Sequence, residues 1–274
     1  PGDYDLVVLA MQEPQFRFGP VKELLGRVGD SGRPCLSIMN MPPLAYLKRI
    51  PVIDADSIRN CYTDPSVWDN IDPALITLCS PDPQAFRPPT EKVNVLQVGL
   101  PTNFKAARFE SDEHTAILND IEDDIQNIRY DADGTEVELP VKLRVHESVF
   151  VPLAKWAMLC AGNYRCVQAD EMRPIKEAVH SDVALSESVY NSVKDLCVKL
   201  GGDLTDLVPF EKYANAAQSL VNPSSAARAL AAGAPYIERV DKLVQTLAAS
   251  QGMQSDVVDE TVELVNGWLE KNRA

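Results

Sequence analysis

Lys155 is the one charge in a run of about fourteen residues that is otherwise apolar or small. An ammonium is costly to desolvate there, so it either reaches out to water or is tuned for acid–base chemistry. Asn163 lies eight residues on, about two helical turns, so both polar groups fall near one stripe of an apolar helix. Asn40 is the first polar group beyond the apolar run 34–39, and Gln12 stands in the same place after the run 5–10. Ligands of open α/β sheets collect at the carboxyl ends of strands, and an amide there can both donate and accept. Asn40 is therefore a candidate for substrate or cofactor, and Gln12 for cofactor. Farther on, Ser224 reads as a helix N-cap with Ser225 beside it. Glu238 is either a carboxylate facing a substrate or half of an exposed pair with Lys242 at i+4, and spacing alone favours the exposed pair.

Other chemistries find little support. Gly26, Gly29 and Gly32 lie at the end of a predicted helix and before a strand, whereas a dinucleotide loop follows a strand and opens a helix. They read as a helix end and a turn. The six cysteines form no CxxC pair and suggest buried thiols of a cytoplasmic protein, and the three histidines are scattered, so no metal site is expected. A net charge of −14 repels phosphate backbones and anionic lipid, which argues against nucleic acid and membrane partners. No apolar run approaches a membrane span.

Elements that could position these groups follow from pattern. Fourteen of the 20 prolines fall within residues 1–101, so the first part is loop-rich and the last part is free to be helical. Residues 5–10 and 34–39 are apolar runs suited to strands buried on both faces, with an amphipathic helix predicted over 20–28. Together they make a βαβ unit and imply a parallel sheet. Strands are also predicted at 75–79 and 93–100, a helix at 112–127, a turn at 131–134 and an alternating strand at 136–145. Helices are expected at 148–161, 183–200, 223–232, 235–251 and 256–271. The chain thus divides into an α/β part, 1–146, and an all-helical part, 147–274.

The run DLVVLAMQ, a short helix and then PCLSIMN resembles the fourth and fifth strands of the nucleotide-binding domain of ketopantoate reductases. The helix carrying Lys155 and Asn163 resembles the first helix of their C-terminal domain, a helical domain of the 6-phosphogluconate dehydrogenase C-terminal type. The stretch from Ser224-Ser225 to Glu238 looks like the family's SS…EID segment. The resemblance implies a partial Rossmann-like parallel sheet followed by the helical domain. It also implies NADPH (or NADH) as cofactor, a 2-keto acid as substrate and a homodimer through the helical part. Lys155 would protonate the developing alkoxide, Asn40 and Asn163 would hold the substrate, and Ser224 or Ser225 would bind its carboxylate.

Three positions depart from the pattern. Gln12 stands where the family has a lysine, and Leu159 where it has an asparagine one turn after the catalytic lysine. Tyr236 aligns nearest to the family's catalytic glutamate, with Glu238 two residues later and expected on another helical face. The resemblance further implies that the glycine-rich loop and first strands lie outside this sequence, through truncation or loss of cofactor binding. Two rivals remain: a non-catalytic interaction or dimerisation module, and an opine- or hydroxyacid-dehydrogenase-like enzyme.

Overall fold

The computed structural model describes residues 1–81, 85–86, 90–92, 94–95, 97–98 and 102–274. The chain opens with β1 (Val7–Leu9), α1 (Gly19–Asp30) and β2 (Cys35–Ile38), and β1 and β2 pair in parallel as the βαβ pattern requires. α1 begins as the sequence suggests, with Pro20 in its first turn, and Gly32 at φ +62° follows its C-terminus. After the four-residue α2 (Leu44–Leu47), β3 (Ile76–Pro81) adds in parallel to β2. Two short strands, β4 (Ala85–Phe86) and β5 (Gln97–Val98), pair with each other. The strand predicted over 93–100 otherwise falls largely outside the described residues.

β6 (Thr102–Ala107) then joins the sheet antiparallel to β3, so the sheet is mixed rather than wholly parallel. After α3 (Asp112–Asn127) come a hairpin of β7 (Arg129–Ala132) and β8 (Thr135–Glu138), and then β9 (Val141–His146), parallel to β6. The single strand predicted over 136–145 is therefore two, because Pro140 removes a ladder donor between them. The five-stranded order is β1-β2-β3-β6-β9. Alternate side chains divide between its faces. Leu36, Cys79, Ala106 and Leu143 meet Leu118 of α3 on one side, while Cys35, Ile76 and Leu78 join the large core on the other.

The helical part contains α4 (Lys155–Met158), α5 (Ile175–His180), α6 (Val183–Lys199), α7 (Phe210–Ala217), α8 (Ser225–Ala231), α9 (Val240–Ser250) and α10 (Asp256–Arg273). The helix predicted over 235–251 starts only at Val240. One continuous core links Leu9 of the sheet, Trp156 and Leu269 of the last helix. No helix among the described residues is long and apolar enough to cross a membrane, and all six cysteines are buried and free.

The segment predicted as a helix over 148–161 runs from 152 to 166 and changes winding as it goes. A 3-10 turn precedes α4, a π turn follows at Leu159–Asn163, and a 3-10 turn closes it at Tyr164–Cys166. The π turn has a visible cause. The Tyr213 hydroxyl donates to the Met158 carbonyl at 3.0 Å, occupying an acceptor that regular winding would offer to Gly162. Only glycine fits at 162, because a Cβ there would lie 2.0 Å from the Tyr213 oxygen. Gly162→Ala should therefore destabilise the protein by about 1–3 kcal/mol, as overpacking does, and a urea unfolding curve should show the lowered midpoint. A midpoint equal to the parent's would mean that the ring moves aside freely.

Candidate functional site

A narrow cleft of ≈ 40 Å³ lies where β1 and β2 end and the helical part begins. Its polar lining comprises Gln12, Asn40, Asn163, Ser225 and Glu238, with Leu159, Tyr164 and Ile237 among its apolar walls. Gln12 and Asn40 are there because each is the first amide beyond a strand's carboxyl end. Gln12 also opens a short 3-10 helix, Glu13–Arg17, its N–H donating to Gln15 Oε1 at 2.9 Å.

Asn163 reaches the cleft through the π turn. In an ideal α-helix eight residues overshoot two turns by about 80°. A π turn holds one residue more, so the step from Lys155 to Asn163 approaches what seven residues would cover, close to two full turns. Lys155 itself is half-buried at the start of α4 and is not among the residues lining the cleft at Asn163. Leu159, the departure from the asparagine pattern, sits between them on the cleft wall.

The two serines separate. Ser224 is buried and caps α8, accepting from Ala227 N–H at 3.2 Å while its hydroxyl donates to the Asn163 carbonyl at 2.6 Å. It braces the helix that carries Asn163 and does not line the cleft. Ser225 does.

Glu238 departs most from its predicted surroundings. Residues 235–239 are not helical, so no helical face turns it away from the cleft. Lys242, its predicted surface partner, instead donates to the Asn60 carbonyl at 2.8 Å. Tyr236 is held between Arg17 and Arg273, whose guanidinium carbons lie 3.8 and 4.8 Å from its ring centre. The Glu238 carboxylate accepts from the Glu13 N–H at 3.4 Å, from the Met41 N–H and from the Asn40 amide. All three donors are neutral, and burial raises the carboxyl above its ordinary value. The neighbouring Arg239 is directed elsewhere, to Asp241 (Nη2–Oδ2 2.9 Å) and Asn266 (2.8 Å).

Sequence reasoning passed over two residues. Tyr164 lines the cleft, donates to the Glu238 carbonyl at 2.5 Å and accepts from Val240 N–H at 3.0 Å. Glu13 is 2% exposed. Its carboxylate accepts from Thr63 N–H at 2.7 Å, from Thr63 Oγ1 at 2.9 Å and from Asp64 N–H. Burial outweighs those donors, and with the Glu238 charge it pushes Glu13 up to about 7. The available signal was its position, one residue past Gln12 at the same strand end.

A larger groove, ≈ 670 Å³, lies elsewhere, between α6, α9 and α10. Its one carboxylate, Asp259, is taken by Gln245 at 2.7 Å and Gln254 at 3.3 Å, so it offers no comparable chemistry. Among the described residues no cluster of His, Cys, Asp and Glu could hold a metal.

No family model and no curated protein matches this sequence. Solved structures do share its fold. The ternary structure of D-mandelate dehydrogenase with NADH and anilino(oxo)acetate superposes with a TM-score of 0.65 at 11% identity, over 99% of this chain and 78% of that one. 2-Dehydropantoate 2-reductase from Methylococcus capsulatus gives 0.64 at 10% identity, over 98% and 76%. The dimeric ketopantoate reductase from Staphylococcus aureus gives 0.60 at 9% identity, over 98% and 78%. The fold is thus that of a Rossmann-like sheet followed by a helical C-terminal part.

Glu13 makes stability depend on pH. Its folded value near 7 exceeds the ordinary 4.5, so between those values the folded protein keeps a proton that the unfolded chain has released. Stability should fall as pH rises through that window, by up to about 3 kcal/mol. Glu13→Gln should remove this slope, so urea midpoints of parent and variant at about pH 5 and 8 should diverge in the variant's favour with rising pH. Parallel profiles would show that Glu13 does not titrate there.

Proposed function

We propose that this chain forms the substrate side of the cleft of an NAD(P)H-dependent 2-keto acid reductase. One observation carries the proposal. Gln12, Asn40, Asn163, Ser225 and Glu238, drawn from separate stretches of sequence, converge on one cleft at the carboxyl ends of parallel strands. That is where this fold class binds ligands, and the similar proteins include a dehydrogenase solved with NADH and anilino(oxo)acetate.

Ser225 and Asn163 supply neutral donors for the substrate carboxylate, and the Asn40 amide orients the keto group. Lys155, set back from the cleft lining on the helix stripe that leads to Asn163, is the residue this reading assigns to protonate the oxygen that gains charge during reduction. A donor that meets charge only as it develops lowers the barrier selectively. A nicotinamide coenzyme supplies the hydride when bound. Gln12 and Asn40 fit its amide-bearing end, since both can donate and accept.

The described residues include no matching cradle for its pyrophosphate. Gly29 is a packing glycine, where a Cβ would lie 2.4 Å from the Asn70 carbonyl oxygen, and Gly32 lies just past the end of α1. That gap favours, as the second reading, a non-catalytic module that keeps the helical part for association.

Fluorescence titration with NADPH, followed by a screen of 2-keto acids with nicotinamide absorbance as readout, separates the two. We expect coenzyme binding and turnover, a fall in kcat of about 10²-fold or more for Lys155→Ala, and a rise in KM of about tenfold for Asn163→Ala. Absence of NADPH binding would leave the module reading standing. Unchanged turnover in Lys155→Ala would remove that residue from the reaction. The assembly this reading carries is a homodimer through the helical part, as the Staphylococcus aureus protein is dimeric. Light scattering should return twice the chain mass of 30.2 kDa, and a monomer mass would refute it.

A further inference from the structure

Two buried glutamates are joined beside the cleft, the backbone N–H of Glu13 donating to the Glu238 carboxylate, which has only neutral donors around it. Glu238 faces the cleft and takes the Glu13 N–H, the Met41 N–H and the Asn40 amide. Glu13 sits behind it, buried, against Thr63 and the Asp64 N–H. The charges nearby are otherwise engaged. From the loop carrying Thr63, the Asp64 carboxylate faces Lys22 at 2.9 Å and Ser66 at 2.6 Å. The Tyr62 hydroxyl donates to the Pro42 carbonyl at 2.7 Å. Arg17, on the same short helix as Glu13, stacks on Tyr236, and Arg239 forks onto Asp241. From the helix side, the Tyr164 hydroxyl meets the Glu238 backbone rather than its carboxylate.

We propose that Glu13 and Glu238 titrate as one unit and that Glu13 is the positioning residue of the pair. Its backbone N–H holds the Glu238 carboxylate at the cleft. By keeping its own proton, Glu13 places no negative charge behind the cleft lining. The cleft then admits an anionic keto acid while Glu13 is neutral and rejects it once Glu13 ionises. This rests on the keto-acid assignment proposed above. The transition falls near neutral pH, where burial has moved Glu13.

The test uses the intact chain in two arms. Carbon NMR of labelled glutamate carboxyls should show a titration step near pH 7 that is absent from Glu13→Gln. Calorimetry with oxamate, an unreactive analogue of a 2-keto acid, should show about tenfold weaker binding to the parent at pH 8.5 than at pH 6, and a flat profile in Glu13→Gln. Thr63→Val, which removes a donor to the ionised Glu13, should shift the step upward, and this arm stands even if Glu13→Gln fails to fold. A step near pH 7 that persists in Glu13→Gln, or one unmoved in Thr63→Val, would overturn the pair. Equal oxamate slopes in parent and Glu13→Gln would overturn the gate. Failure of oxamate to bind at any pH, with the titration step intact, would overturn the keto-acid assignment and the gate with it, while the intact step distinguishes that failure from failure of the pair.

Discussion

The Tyr164 hydroxyl is the pin on which the cleft turns. It donates to the Glu238 carbonyl and accepts from the Val240 N–H, so one buried phenol satisfies both sides of a peptide stretch that would otherwise wind into α9. Orphaned backbone groups in a core are costly, and this single group answers two of them. Because residues 235–239 stay extended from the helix start, Glu238 reaches the strand ends and meets Asn40, Met41 and Glu13. Ser224 repeats the arrangement on the other side, joining α8 to the Asn163 carbonyl. The cleft is thus assembled by side chains that bond to backbone, which fixes distances more firmly than paired side chains would.

Much of this frame was legible. The helix predicted over 112–127 is α3, which the structure caps with Ser111, and the parallel pairing of β1 with β2 followed from two apolar runs flanking a helix. Asn40 and Gln12 were found by a rule about strand ends, independent of any resemblance. Other features left weak signals. Thr102–Ala107 carries Asn103 and Lys105 and lacks a branched apolar run, so β6 and its reversed direction were hidden. The start of α9 depends on a hydroxyl 76 residues away in sequence, which no local pattern reports. Glu13 reads as an exposed acid before a proline until the Thr63 loop folds over it.

Electrostatics gives the cleft an unusual balance for a chain of net charge −14. An anion approaching it meets repulsion from the whole surface, screened beyond roughly 8–10 Å at physiological salt. Close in, its reception depends on a few groups: neutral amides and a hydroxyl, one cleft carboxylate, and the half-buried Lys155. The buried pair of Arg239 and Asp241 contributes nothing to that balance, since each answers the other's charge and together they anchor the first turn of α9.

The π turn at Leu159–Asn163 also bears on how such a protein can change over time. Removing one residue from it would restore regular winding, with the Met158 carbonyl accepting from the backbone N–H four residues on. The same deletion would swing every later side chain by about 100° about the axis, carrying Asn163 off the cleft wall and Tyr164 off its two backbone partners. Local comfort and long-range register therefore oppose each other at this turn. A variant that keeps the cleft must keep the extra residue. The length of this one helix is in that sense set by the cleft and not by its own winding.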